Sequence, residues 1–358
     1  MKTQNNPSGS VMTMTTKNEN VLLFIYGEKG TATIDWGDGT IEEVVVNKDN
    51  LPLSEVKGDK SEIMNNPEKL RKIAPMFFPH TYLDISTRTI TISGKNITGI
   101  ACCDNELINL DVSKNTVLYW LNCTNNNLTS LDISKNTALV YLECNKNQLT
   151  SLNVSKNTIL ETLFCAENQL TNIDVSKNTA LTNLDCSFNR SLENVDVSNN
   201  TALAELSCGS NLLTSLDVSN NTALKMLICH DSRLTNLDIS NNTELGVLLC
   251  SGNLLTSLDT SKNTALIAVH CAGNQLTSLD ISKNSALTKL YCFDNQLTRL
   301  DISKNTALQE LWCRENNLTA IELDEKQLTE DLQSVAMEVL DCDDGICFSI
   351  NFEKRSNE

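Results

Sequence analysis

Aromatic residues, histidines and basic residues are all scarce in this chain. Phe, Trp and Tyr together make up 4% of its 358 residues, and the three histidines are His80, His230 and His270. A hydrolytic triad needs a nucleophile beside a histidine that a carboxylate orients, and no such grouping is visible. The dinucleotide-binding, P-loop, zinc-protease and nucleophile-elbow motifs are absent. These absences predict a non-enzymatic protein with no cofactor and no metal. Lys and Arg total 28 against 45 Asp and Glu, for a formal charge of −17. Such a surface repels polyanions, which argues against nucleic acid or an anionic membrane surface as a partner. No apolar run approaches the roughly 18 residues of a membrane span. The opening MKTQNNPSGSVMTMTTKNEN is polar and lacks the hydrophobic stretch of a secretory signal. A cytoplasmic protein and an exported one without its leader both fit that start.

Cysteine, by contrast, is plentiful and regular. Ten of the 14 cysteines fall at 123, 144, 165, 186, 208, 229, 250, 271, 292 and 313, a step of 21 residues with a single step of 22. The surrounding text repeats as L-x-x-L-x-C-x-x-N-x-L. A fixed period in the twenties with that spacing is the signature of a leucine-rich repeat solenoid. The expected fold is a β-rich, right-handed curved superhelix of short parallel strands. With cysteine as zero, the inward positions are −2, 0, +5, +8, +10 and +16, filled in one repeat by Leu121, Cys123, Leu128, Leu131, Ile133 and Leu139. Neighbouring strands hold equivalent Cβ atoms about 4.8 Å apart, wider than the roughly 3.8 Å of a disulfide. That favours a column of buried, reduced thiols over disulfides or metal ligands.

Three polar columns accompany the thiols. Asn at +3 (Asn126, Asn147, Asn168 and onward, broken once by Ser232) is placed to bond backbone groups freed where the strand bends. A second column, Asn136, Asn157 and Asn178 onward, reads as turn chemistry, and an Asp column from Asp111 to Asp301 needs turn donors or a nearby Lys. The extra residue of the 22-residue step, near Arg190–Ser191, is expected to bulge outward without disturbing the strands.

Four segments are expected. Residues 1–18 are polar and predicted disordered. Residues 19–97 form a separate β module, with strands at Val21–Tyr26, Thr31–Trp36, Ile41–Val46 and Thr87–Gly94 and a Gly37-Asp38-Gly39 hairpin signal. Between them, 48–79 is loop-rich, with a short helix expected near Pro67–Ile73. Residues 98–323 hold about ten 21-residue repeats. Residues 324–358 leave the repeat and read as a C-terminal helix-strand cap. Its helix places Leu328, Leu332, Val335, Ala336 and Val339 on one face, and its off-ladder Cys342 and Cys347 are close enough in sequence to pair.

In each repeat strand the residues at −3, −1 and +1 point out of the concave sheet, and they are the variable positions. Met226, Ile228, Val247, Leu249, Tyr291, Phe293 and Trp312 form one expected apolar patch there, flanked by His230, His270 and Arg314. Trp120 and Tyr141 occupy the same face in earlier repeats. Exposed apolar patches rich in Tyr, Trp and Arg usually mark partner sites. A weakly selected surface on which these side chains cover one another is the alternative.

The 21-residue cysteine repeat resembles that of bacterial surface leucine-rich-repeat proteins of the internalin J-like type. The pieces IDWGDGT, HTY and TITISG, at Ile34–Thr40, His80–Tyr82 and Thr89–Gly94, resemble a PKD-type immunoglobulin-like β-sandwich. The resemblances imply an exported, cell-surface or secreted bacterial adhesion protein, monomeric, binding a protein or a glycan. Any membrane attachment would come from a lipid anchor outside this chain. A structural spacer with no ligand of its own remains the other reading. The helical N-terminal cap and wall-anchoring signal of internalins have no counterpart in this sequence. Asp35 and Asp38 are read as turn-fixing side chains rather than calcium ligands.

Overall fold

The computed structural model describes residues 9–46, 77–323 and 351–352. The chain divides into two compact units, Met1–Asn178 and Thr179–Glu358. Every regular element among the described residues is a strand. The expected helices near Pro67–Ile73 and over Leu328–Val339 lie outside the described residues, as do Cys342 and Cys347.

The first unit contains β1 (Ser10–Thr16), β2 (Asn20–Gly27), β3 (Gly30–Asp35), β4 (Ile41–Val46), β5 (Phe77–Thr81), β6 (Arg88–Gly94), β7 (Ile97–Ala101), β8 (Asn109–Asp111), β9 (Trp120–Asn122), β10 (Tyr141–Glu143) and β11 (Thr162–Phe164). They form two sheets, one in the order β4-β3-β6-β1-β8 and one running β5-β2-β7-β9-β10-β11. The first sheet turns Met12, Met14, Ile34, Ile90 and Ile92 inward, and the second buries Leu23, Ile25 and Ile100. Strand β7 has a partner on each side, antiparallel to β2 and parallel to β9. The expected limit at residue 97 therefore falls at the start of a strand that belongs to both the module and the repeat stack.

Two expectations need correction here. Residues 10–16 are not disordered: buried Met12 and Met14 alternate with half-buried Val11, Thr13 and Thr15, and β1 pairs along its whole length with β6. The methionines supply the period-2 pattern that the polar composition hides. Residues 77–79 are not loop: β5 includes Pro79, which is tolerated because β5 lies at the sheet edge, where a missing N–H costs no ladder bond.

The motif residues of the module converge. Trp36 is fully buried, and its ring stacks on His80 at 4.5 Å. His80 Nε2 lies 2.8 Å from Asp38 Oδ2, and Tyr82 donates its hydroxyl to the Trp36 carbonyl at 2.6 Å. Asp35 and Asp38 accept the amides of Gly37 and Thr40, which fixes the hairpin turn as expected. Burial pulls the Asp38 carboxyl up, but the Thr40 amide and hydroxyl and the His80 ring outweigh it and hold it at about 2. Gly37, at φ 78°, lies under the Thr89 carbonyl, where a Cβ would stand 2.5 Å from the oxygen.

The second unit contains β12 (Asn183–Asp185), β13 (Glu205–Ser207), β14 (Met226–Ile228), β15 (Val247–Leu249), β16 (Ala268–His270), β17 (Lys289–Tyr291), β18 (Arg299–Asp301), β19 (Glu310–Trp312), β20 (Ala320–Glu322) and β21 (Asn351–Phe352). Strands β12 to β17 and then β19 form one parallel row, and β18-β20-β21 form a small separate sheet. The extra residue leaves the register intact. Leu184 still faces Leu206, while Arg190 and Ser191 stand exposed in the loop.

In both units the inward positions are filled as the repeat predicts. Leu121, Cys123, Leu128 and Leu139 are completely buried, and so are Leu227, Cys229, Leu234 and Leu245. The ladder cysteines are all free thiols. Burial pushes the Cys144 and Cys271 thiols up to about 12, so neither ionises near neutrality.

The two asparagine columns do different work. At +3, Asn253 accepts the Leu234 amide at 3.0 Å and donates to the carbonyls of Cys229 and Cys250 at 2.9 and 3.0 Å. Its counterparts Asn147, Asn274 and Asn295 repeat that pattern. In the second column, Asn242 donates to the carbonyls of Val218 and Asn221 at 3.0 and 2.8 Å, but its buried Oδ1 has no protein donor. Asn136, Asn157, Asn221 and Asn263 share that vacant oxygen. Asn284 differs, because Thr260 stands where other repeats have Val or Ile and donates its hydroxyl to Asn284 Oδ1 at 2.7 Å. The Asp column caps turns: Asp217 Oδ1 accepts the Ser219 amide at 2.9 Å, and the Ser219 hydroxyl and amide hold its carboxyl below the usual range.

Candidate functional site

Each repeat strand is three residues long, with a buried residue between two that face outward. Period-2 geometry alone produces that alternation. Parallel registration then stacks equivalent positions into rows. In the second unit Met226 lies beside Val247, and Val247 beside Ala268. In the neighbouring row Ile228 lies beside Leu249, then His270, Tyr291 and Trp312 in turn. The residues expected to share this face are thus brought into adjacent rows, with His270 between Leu249 and Tyr291, where its 21-residue spacing places it.

The rings in this row stack face to face. His270 and Tyr291 are 4.1 Å apart at 22°, and Tyr291 and Trp312 are 4.9 Å apart at 22°. Phe293 tilts against Trp312 at 6.2 Å, and the Arg314 guanidinium lies 5.6 Å over the Phe293 ring. Trp312 is the most open member, at 46% exposure, while the other rings are half-buried. A polar pair runs beside them. Lys289 Nζ meets Glu310 Oε1 at 2.6 Å, and the Tyr291 hydroxyl donates to Glu310. Burial, and then the Lys289 charge, hold the His270 imidazole below its ordinary value. His230 lies at the strand ends, with Nδ1 3.0 Å from Asp231 Oδ2.

Trp120 and Tyr141 belong to the first unit and are described with it. Their rings stack at 5.9 Å, Phe164 meets Tyr141 edge-on at 6.0 Å, and Phe24 meets Trp120 edge-on at 5.9 Å. Glu143 sits among them, accepting the Tyr141 hydroxyl at 2.8 Å and the Asn122 amide at 2.7 Å. The roles of Phe24 and Glu143 were not anticipated. Position −1 placed Glu143 on this face, but only the three-dimensional packing shows its donors.

A further column was missed altogether. The residue at +2 of each repeat has a left-handed backbone. In the second unit it is occupied by Phe188, Ser210, Asp231, Gly252, Gly273, Asp294 and Glu315, with φ from 50° to 65°. Among the described residues, no group of three His, Cys, Asp or Glu side chains could hold a metal ion, and no helix is long and apolar enough to cross a membrane.

Repeats of 21 residues, a parallel strand row and a buried asparagine at most bends define a leucine-rich repeat solenoid, one of the protein-interaction repeat folds. The functional domain of InlJ from Listeria monocytogenes, which includes a cysteine ladder, is similar at 35% identity and a TM-score of 0.60. The similarity covers 68% of this chain, which spans about 61% of that protein's length. An internalin, InlF, from the same organism shares the fold at 18% identity and a TM-score of 0.55, over 73% of this chain and 88% of that one. YopM of Yersinia pestis does so at 23% and 0.52, over 58% of each chain. No protein-family model and no curated protein matches the sequence.

Proposed function

We propose that this chain is a non-enzymatic, exported bacterial binding protein that grips a protein partner through the outward strand face of its second unit, preceded by a PKD-like module. The observation that carries this reading is the in-register row from Ile228 to Trp312. Apolar and ring side chains occupy five successive strands without interruption, beside a second apolar row at Met226, Val247 and Ala268. A contiguous apolar surface of this kind on a repeat scaffold has the composition of an interface centre.

A glycan partner fits less well. Sugar binding on aromatic platforms needs free ring faces, and His270, Tyr291 and Trp312 cover one another's faces at 4.1 and 4.9 Å. Similarity to internalins supports a surface or secreted setting. The test is a binding screen against host extracellular proteins and a glycan array, run on the chain and on a variant with Met226, Leu249, Tyr291 and Trp312 all changed to Ala. Protein binding lost in the variant is expected. Equal binding in both would move the site elsewhere, and no binding at all would favour the spacer reading.

A further inference from the structure

The left-handed +2 column does not require glycine. Asn125, Lys146 and Glu167 adopt the same backbone at φ 54°, 53° and 52°, and so does Asp231 at 50°. Conformational freedom therefore does not explain Gly252 and Gly273. What the two glycines do is leave out two adjacent side chains, directly after the apolar strands β15 and β16.

Carboxylates lean into that gap from both sides. A methyl group built on Gly252 would collide with Asp231 Oδ1, and one built on Gly273 would stand 3.6 Å from Asp294 Oδ2. Among the described residues neither aspartate is paired with a Lys or Arg. Asp231 meets only the His230 ring, and nearby Arg314 is engaged with Glu315 and the Phe293 ring. The apolar strand face thus ends beside two glycines, with the Asp231 carboxylate lying over Gly252 and a shallow notch remaining over Gly273, edged by Asp294.

We infer that this notch receives a Lys or Arg side chain of an extended polypeptide segment whose apolar side chains lie on Val247 and Leu249. The inference rests on the strand face being the binding site, and it names the chemistry of the partner. Charge complementarity selects a basic group: Asp231 and Asp294 stand three strand spacings apart, roughly 14 Å at the backbone, and their carboxylates lean toward each other over the two glycines between them, which suits a cation and repels an anion. The adjoining apolar rows favour a polypeptide over a small cation, because a bare cation would leave Val247 and Leu249 uncovered. An extended segment crossing the strands presents alternate side chains to the face.

The test uses a displayed library of random peptides selected on the full chain, followed by titration of synthetic copies. Gly273→Asn fills the notch with a residue that already holds the same backbone at Asn125, so folding should survive; thermal unfolding checks this. Selected peptides are expected to carry Lys or Arg beside apolar residues. Changing that basic residue to Gln, introducing Gly273→Asn, or making Asp231→Asn with Asp294→Asn should each weaken binding about tenfold, and the wild-type affinity should fall with salt. Peptides that depend on Leu249 but show no basic preference and ignore Gly273→Asn would overturn this inference and leave the strand-face reading standing. If no peptide is selected, or the selected ones are indifferent to Leu249→Ala, both readings fall.

Discussion

The +3 asparagines and the second asparagine column are both buried, belong to the same repeats and look alike in sequence, yet only one is fully used. Asn253 has its oxygen and both amide hydrogens engaged, whereas Asn242 leaves its oxygen without a protein donor. The first column ties a backbone amide and two carbonyls together at the strand bend. The second ties two carbonyls and carries a desolvated acceptor as a cost. A repeat can therefore be periodic without being optimal, and the imperfect column is where stability remains to be gained.

Removing one member of each column is the strongest way to break the comparison. Asn253→Ala abandons three buried backbone groups and should cost about 3 kcal/mol, at roughly 1 kcal/mol for each lost bond. Asn242→Ala abandons two carbonyls but also removes the vacant oxygen, so it should cost about half as much. Denaturant titration of the two variants decides the matter, and equal losses would erase the distinction.

Completing the better column should have a smaller, opposite effect. Ser232 occupies the +3 site in one repeat, and its buried hydroxyl has no partner. Ser232→Asn should raise stability by about 1 kcal/mol, visible as a higher denaturation midpoint with unchanged slope. A loss would mean that the local backbone has adapted to serine.

The smallest effect sharpens the contrast most. Burying a hydroxyl in place of a methyl normally costs about 1–3 kcal/mol. Val218 stands to Asn242 as Thr260 stands to Asn284, so Val218→Thr should bring its hydroxyl to the vacant Asn242 oxygen. The change should then fall within about 0.5 kcal/mol of neutral. A full hydroxyl penalty in the same titration would show that the Thr260 arrangement does not transfer.

How far the sequence reveals these features follows from what repetition encodes. The inward leucines and cysteines, the Asn bends and the Asp turns return every 21 residues, so each copy confirms the others, and all appear where the spacing puts them. The outward direction of Tyr291 and Trp312 followed from strand alternation. The stacking of the His270, Tyr291 and Trp312 rings and the donors around Glu143 depend on side-chain packing, which spacing does not specify. The gap beside Gly273 is not legible in spacing, because only the left-handed backbone shared by Asp231, Gly252, Gly273 and Asp294 shows what the glycines omit. Strands β1 and β5 were missed for a related reason. The polar composition and terminal position of the β1 stretch argue against order although its threonines favour strand, Pro79 argues locally against strand, and pairing with β6 and β2 overrides both.

Strand β7 carries a consequence for local opening. It is bonded on both sides, antiparallel to β2 and parallel to β9, so the first repeat strand rests on an edge that the module holds in place. Amide exchange should be slow at Ile100 and Leu121 even under conditions where later repeats open, because opening at that point requires the module to come apart as well.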